Sequence, residues 1–425
     1  MAVFLENYTL LDQIGKGGFA QVCKVRHNKY RYIRAIKILD QAIIKGEKDE
    51  NWIKFRNECE TLLNIGNGNH PNIIHIYQPL LCGMQAFVEM DYIDGKDVTH
   101  ILKETPLVSA DEVIHLIKDI SSALAYCHHD IYKFCMDKET DNLQDDPDDG
   151  SKPLLDEPTT KRLIKKYRVT HNDIHSGNIM RRESGDYVLL DFGLSVQDGE
   201  VLKTSKHKNG AIEYKAPEKW LDKREPDTIN PATDIYSPGI VLDEYLTGQV
   251  PFPCDPKLPE HIAAHHVGEA HKNSAPPSIF DARKRCFELQ NPNQTYKERD
   301  YPQWLEGVIM RCLEKDPRKR FRDGKELYDC VMENIKKNSL SAQMEKILGE
   351  NKTLSAEIKA QKEKLLSCNQ EKTQLLSQIK TLNDEIKKLR PSLSETEKRF
   401  KVCPKCGKPL LKQGISFCKY CGAKL

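Results

Sequence analysis

The stretch 169–180 reads VTHNDIHSGNIM and sets His171, Asp173 and Asn178 close together. A carboxylate can orient a hydroxyl and take its proton, and an amide oxygen is a hard ligand for a divalent cation. Thirteen residues after Asn178, the stretch LLDFGLS supplies Asp191, a second hard-oxygen donor. Such a set suits phosphoryl transfer, which needs positioning and a cation across the phosphates more than covalent help. A different chemistry is written at the C-terminus. Cys403, Cys406, Cys418 and Cys421 form two Cys-x-x-Cys pairs, each followed by Gly. Two such knuckles with a hairpin-length spacer fit tetrahedral Zn2+, and four thiolates leave no open position, so the zinc is expected to be structural. A redox Cys-x-x-Cys is the alternative, but no thioredoxin-like βαβ pattern accompanies it.

These residues need elements to hold them. LLDQIGKGGFAQVCKV alternates apolar and polar on both sides of Gly15, Gly17 and Gly18, which reads as strand, glycine turn, strand. Glycine lets a backbone approach phosphate oxygens without a Cβ in the way. Fifteen residues past Val22, the strand IRAIKIL carries Lys37 in its middle. A lysine among Ile and Ala needs an anion beside it. Glu58, on the helical stretch WIKFRNECETLLNI with Leu62 and Ile65 following, would answer it and aim the ammonium at a nucleotide.

In this order the motifs resemble a eukaryotic-type Ser/Thr protein kinase domain over residues 8 to about 335. Gly15, Gly17, Ala20 and Val22 resemble its glycine-rich loop, with Ala20 at the third glycine. The resemblance implies an α+β, bilobal fold with ATP and Mg2+ between the lobes. It implies Asp173 as catalytic base, Lys37 on the phosphates with Glu58 as partner, and Asn178 and Asp191 on Mg2+. Ile14, Gly15, Gly17, Val22 and Ala35 would line the nucleotide site. Met90 would be the gatekeeper, Asp91 and Ile93 would lie against the adenine, and Asp97 would contact the ribose. Downstream, Ala216-Pro217-Glu218 resembles the end of the activation segment, Arg320 the partner of Glu218, and Asp234 the residue that holds the catalytic-loop backbone.

Three positions depart from that pattern. Asn172 stands where an Arg usually precedes the catalytic Asp and often binds an activation-loop phosphate, so activity independent of that phosphorylation is expected. His175 replaces a Lys that steadies the transferring phosphate; it is counted here as catalytic, since imidazole can still donate to phosphate. The string His-x-Asp-x-His-x-Gly-Asn is also similar to aminoglycoside and choline phosphotransferases. Ala211 stands where a Thr is usual. A small-molecule phosphotransferase and a nucleotide-binding scaffold are therefore the alternatives to a protein kinase acting on protein substrates.

Composition sets the remaining organisation. With 425 residues and 39% hydrophobic content the chain can bury more than one core, and a net charge of +2 argues for no nucleic-acid partner. No apolar run approaches a membrane span, and the opening MAVFLENYTLL lacks a signal peptide's basic start, so the other ten cysteines read as reduced thiols of a cytoplasmic protein. The expected division is a kinase domain over 1–336 (N-lobe 1–92, C-lobe 93–336), a coiled coil over 340–390 ended by Pro391, and a zinc ribbon over 400–425. Within the first, the acidic stretch 138–158 reads as a mobile insertion, whether bland loop or docking arm. In 344–389 a heptad runs with Met344, Asn351, Ile358, Leu365, Lys372, Ile379 and Ile386 at a. Ile347, Leu354, Gln361, Cys368, Leu375, Leu382 and Leu389 stand at d, the pattern of a parallel homodimer. One long helix folded back on the kinase is the other reading. The ribbon is read as a protein-binding module.

Overall fold

A computed structural model describes residues 7–16, 20–39, 45–50, 52–53, 55–56, 59, 63, 70–82, 85–131, 156–192, 196–197, 212–221, 230–397, 402–410 and 416–425. The chain divides into two compact units, Met1–Lys337 and Asn338–Leu425.

The first unit opens with an antiparallel sheet of five strands, β1 (Tyr8–Lys16), β2 (Ala20–His27), β3 (Ile33–Leu39), β4 (Ile76–Cys82) and β5 (Gln85–Asp91), in the order β1-β2-β3-β5-β4. Period-2 alternation splits β3 between two faces. Ile36 and Ile38 pack with Tyr8, Cys23, Val25 and Phe87 on one side, while Leu39 joins the main core on the other. Ala35 and Lys37 share the face of Leu39. The register lines up Gly15, Val22, Lys37 and Val88 directly across four strands, and Ala35 opposes Met90.

Helices follow. α1 (Val98–Glu104) starts after the short strand β6 (Gly95–Asp97), and α2 (Ala110–Ala125) is capped by Ser109, whose side chain accepts from the Glu112 amide. Val113, Leu116, Ile117, Ile120, Ala123 and Leu124 form its buried stripe at helical spacing. α2 runs into one π-helical turn, Tyr126–Asp130. α3 (Glu157–Tyr167) is capped by Asp156, which accepts from the Thr159 amide at 2.8 Å. The end of the expected insertion is thus a helix start: Asp156, Glu157 and Pro158 form the cap and first turn, because Asp at the cap and Pro just inside both suit a helix N-terminus. Residues 138–155 lie outside the described residues.

Strand β7 (Val169–Thr170) precedes the loop 171–178, and β8 (Ile179–Arg182) and β9 (Tyr187–Leu189) follow it, with β6 pairing β8 and a two-residue β10 (Val196–Gln197) pairing β7. Beneath them lies α4 (Pro231–Thr247), buried at every residue but Glu244. A helix buried on every face is a core helix, and this one is the floor of the lobe. α5 (Glu260–Asn273), α6 (Ile279–Gln290) and α7 (Gln303–Cys312) complete it.

α8 spans Gly324–Glu397 without a break. The expected stop at Pro391 is overturned: the helix continues to Glu397. Proline removes one amide donor and crowds the carbonyl four residues back, a cost of about 3 kcal/mol. The run Ser-Leu-Ser-Glu-Thr-Glu after it contains no Gly or Pro to end the helix. Among the described residues no helix is long and apolar enough to cross a membrane. The C-terminal segment carries two turns of matching form: the amides of Gly407 and Gly422 bond to the carbonyls of Cys403 and Cys418, at 2.8 Å each. Both glycines have positive φ, 71° and 73°.

Candidate active site

The loop 171–178 is fixed from below by α4. Both oxygens of the buried Asp234 carboxylate accept backbone amides, Oδ2 that of His171 and Oδ1 that of Asn172, the latter at 2.7 Å. His128, in the π-helical turn, adds a third bond at 3.1 Å through Nε2. Its Nδ1 accepts the Gly324 amide at 3.0 Å, so Nε2 carries the proton and donates. Burial alone would raise the Asp234 carboxyl, but His128 and the Lys219 ammonium hold it below the usual carboxylate range.

His171 performs the next step of positioning. Its Nδ1 accepts the Asp173 amide at 3.2 Å and its Nε2 donates to the Leu190 carbonyl at 2.8 Å. Its ring lies 4.4 Å from that of Phe192. One buried imidazole therefore ties the backbone of Asp173 to the residues flanking Asp191. Asn178 closes the loop: Nδ2 donates to the Asp173 carbonyl at 2.9 Å, and its own carbonyl accepts the Leu190 amide at 2.8 Å. With Nδ2 so engaged, Oδ1 points the other way.

Asp191 sits at φ 50°, in the left-handed region, and its Oδ1 lies 3.2 Å from Lys37 Nζ. The structure thus brings Lys37, on β3, to Asp191. The expected partner Glu58 lies outside the described residues, as do Gly17 and Ala211. Asp191 and Asn178 offer oxygen donors of the kind Mg2+ prefers, and they are the residues that could hold it.

His175 is mostly buried, accepts the Gly177 amide through Nδ1 at 3.1 Å, and lies 5.9 Å from the Tyr214 ring. Burial holds its imidazole below the usual range. With Nδ1 an acceptor, the neutral ring carries its proton on Nε2 and is a donor without charge. Beneath it, Ser176 and Tyr214 both donate to Glu244, Tyr214 at 2.8 Å. Asp97 caps α1: Oδ1 accepts the His100 amide at 2.8 Å and Oδ2 meets the His100 ring at 2.6 Å. Asp91 receives the Tyr77 hydroxyl at 3.2 Å, and its amide bonds the His75 carbonyl. Ile14 is exposed, Ile93 is buried, and Gly15, Val22, Ala35 and Met90 share the Lys37 face.

The end of the segment leading away from this loop is held by a bidentate pair, Arg320 to Glu218, with both contacts 2.9 Å and both side chains buried. One residue further on, Lys219 donates to the Asn172 carbonyl at 2.7 Å. Sequence reasoning missed both Lys219 and His128. A Lys after Glu218 looks like a solvated side chain, and YCHHD does not reveal which histidine turns inward.

The family model for the protein kinase domain matches residues 8–135 and 162–334. The chain belongs to the protein kinase family. The kinase match leaves out residues 136–161. A probable serine/threonine-protein kinase of Clostridium acetobutylicum is 27% identical over 337 residues, 79% of this chain and 41% of that protein. A probable serine/threonine-protein kinase PknB of Lactococcus lactis is 25% identical over 328 residues, 76% of this chain and 41% of that one. A carbon catabolite-derepressing protein kinase of Secale cereale is 28% identical over 253 residues, 59% of this chain and 41% of that one. The chain spans about two fifths of the length of these curated relatives. Membership of the kinase family implies ATP and Mg2+ as cofactors.

A second candidate site lies outside the kinase match. The Sγ atoms of Cys403, Cys406, Cys418 and Cys421 all lie within 4.8 Å of one another. Cys403 to Cys421 is 3.7 Å and Cys406 to Cys418 is 3.8 Å. A tetrahedron with Zn–S bonds of about 2.3 Å has edges of about 3.8 Å. The cluster fits a metal of that coordination.

Proposed function

We propose that this chain transfers the γ-phosphate of ATP to Ser or Thr hydroxyls of proteins. The observation that carries the reading is the clamped loop: Asp173 is tied through His171 to the segment that carries Asp191, and Asp191 meets Lys37 at 3.2 Å. In this reading Asp173 orients the substrate hydroxyl and takes its proton. Lys37 would hold phosphate oxygens with Glu58 as its partner, and Asn178 and Asp191 would hold Mg2+, which would supply charge neutralisation at the phosphates. His175 donates from Nε2 to a phosphate oxygen as a neutral group. The face bearing Gly15, Val22, Ala35 and Met90 takes the nucleotide, and Ile14, Gly17, Asp91, Ile93 and Asp97 are the further residues that the kinase resemblance assigns to it.

Asn172 carries no charge for an activation-loop phosphate, which supports activity that does not wait for that modification. The zinc cluster is structural and its ribbon binds protein. The heptad of α8 pairs with a second copy in parallel, a reading supported by Ile358, Leu365, Leu375 and Ile379 of its a and d positions, each more than half exposed in one chain. The thiols of Cys23, Cys127 and Cys312, buried in the fold, fit a reducing, cytoplasmic setting.

The test is incubation with ATP, Mg2+ and a cell lysate, wild type against Asp173→Asn. Phosphorylated Ser or Thr in proteins, lost in the variant and kept after phosphatase treatment of the enzyme, is expected. A phosphorylated metabolite instead would favour the small-molecule reading that His175 suggests. Nucleotide binding with no turnover of either kind would leave a scaffold.

A further inference from the structure

We propose that Lys219 is a positioning residue for Asp173, a resident cation that ties the end of the activation segment to the catalytic loop. The inference rests on the kinase reading above. Lys219 lies in the short turn Pro217–Trp220 and is only 7% exposed. Taking an ammonium out of water costs several kcal/mol unless it is well paired, so its destination carries weight.

That destination is the Asn172 carbonyl, at 2.7 Å. The carbonyl belongs to the peptide that joins Asn172 to Asp173. The amide of the same peptide, on Asp173, is held by His171 at 3.2 Å. The next amide back, on Asn172, is held by Asp234 at 2.7 Å. Lys219 is therefore one wall of a clamp on the peptide unit from which the Asp173 side chain springs.

The backbone at this point needs a clamp. Asn172 has φ 68°, in the left-handed region, which L-residues enter at a cost and Asn enters most readily of the non-glycines. Such a conformation persists where the surroundings over-determine it. Asn172 also brings no cation of its own, and Lys219 supplies one at the Asn172 carbonyl. The turn that carries Lys219 is itself anchored by the buried pair of Glu218 and Arg320. The positive charge on the Asn172 carbonyl is thus built into the polypeptide and needs no added phosphate to recruit it.

The test compares wild type, Lys219→Met and Lys219→Arg for kcat, KM for ATP, nucleotide affinity and thermal melting. A catalytic group displaced by about 1 Å can lose about 100-fold in rate. Lys219→Met is expected to lower kcat by about 10- to 100-fold while nucleotide affinity and melting stay near wild type, and Lys219→Arg to recover most of the loss. A folded Lys219→Met with kcat within about twofold of wild type overturns the proposal. So does a loss of kcat that only tracks a loss of nucleotide affinity. Should Lys219→Met fail to fold, Lys219→Gln, which keeps a donor without the charge, carries the comparison by the same criteria. Absence of turnover in the wild type overturns the kinase reading and this inference with it; equal turnover in wild type and variants overturns this inference alone.

Discussion

At the scale of single residues, the loop shows how few side chains set a reactive geometry. His171 alone links the Asp173 amide, the Leu190 carbonyl and the Phe192 ring. Its presence beside Asp173 was plain in the sequence, but its partners 19 and more residues away were not, because they depend on how β8 and β9 return. The same holds for Lys37, which meets Asp191 across 154 residues. Asp97, by contrast, has its contacts close by, capping α1 through the His100 amide and meeting the His100 ring. A buried acid elsewhere yields a pH prediction. Burial pushes the Asp243 carboxyl on α4 up to about 7. Between the ordinary carboxylate pKa and about 7 the folded chain holds a proton that the unfolded chain has released, so stability is greatest below that window and falls as pH rises through it. Asp243→Asn should therefore flatten this decline and raise the melting temperature at pH 8 more than at pH 5. Equal shifts at both pH values would contradict the assignment.

At the scale of elements, β1 and β2 were legible from their alternation on either side of the glycines, and β3 from its apolar run around Lys37. The end of α8 was not, since proline usually stops a helix and here does not. Two glycines of α8 should respond oppositely to one change. A Cβ at Gly324 would stand 2.3 Å from the Leu124 carbonyl carbon and 2.5 Å from the Ala125 amide nitrogen, both backbone atoms that cannot step aside. Gly324→Ala should destabilise the kinase unit by about 2–3 kcal/mol, in the range of core overpacking. At Gly349 nothing lies within 4 Å. There Gly349→Ala should gain up to about 1 kcal/mol through helix propensity. Denaturant unfolding checks the first, and helical circular dichroism on heating checks the second.

At the scale of the whole molecule, the two motifs beyond the kinase domain were readable because each has its own spacing, seven residues in the helix and Cys-x-x-Cys after it. The proposed pair places Cys368 at a d position, opposite its copy when the helices run parallel and in register. Mild oxidation, with two thiols giving up two hydrogens to the oxidant, should then produce a covalent dimer that Cys368→Ser abolishes. An antiparallel pair or a monomer would give none. Light scattering should report twice the chain mass before oxidation. Removing metal with a strong chelator should unfold the 402–425 segment and leave ATP turnover by the kinase unit within about twofold, since four thiolates offer no open catalytic position.

The bond from the Gly324 amide to His128 has one more consequence. That proton can exchange with solvent only when the imidazole lets go, and the imidazole is in turn bonded to the carboxylate that holds the catalytic loop. In deuterated water the Gly324 amide should be among the slow positions although it begins a helix, where amides normally exchange fast for want of a partner. Its exchange rate is a clock for how often the loop under Asp173 comes loose.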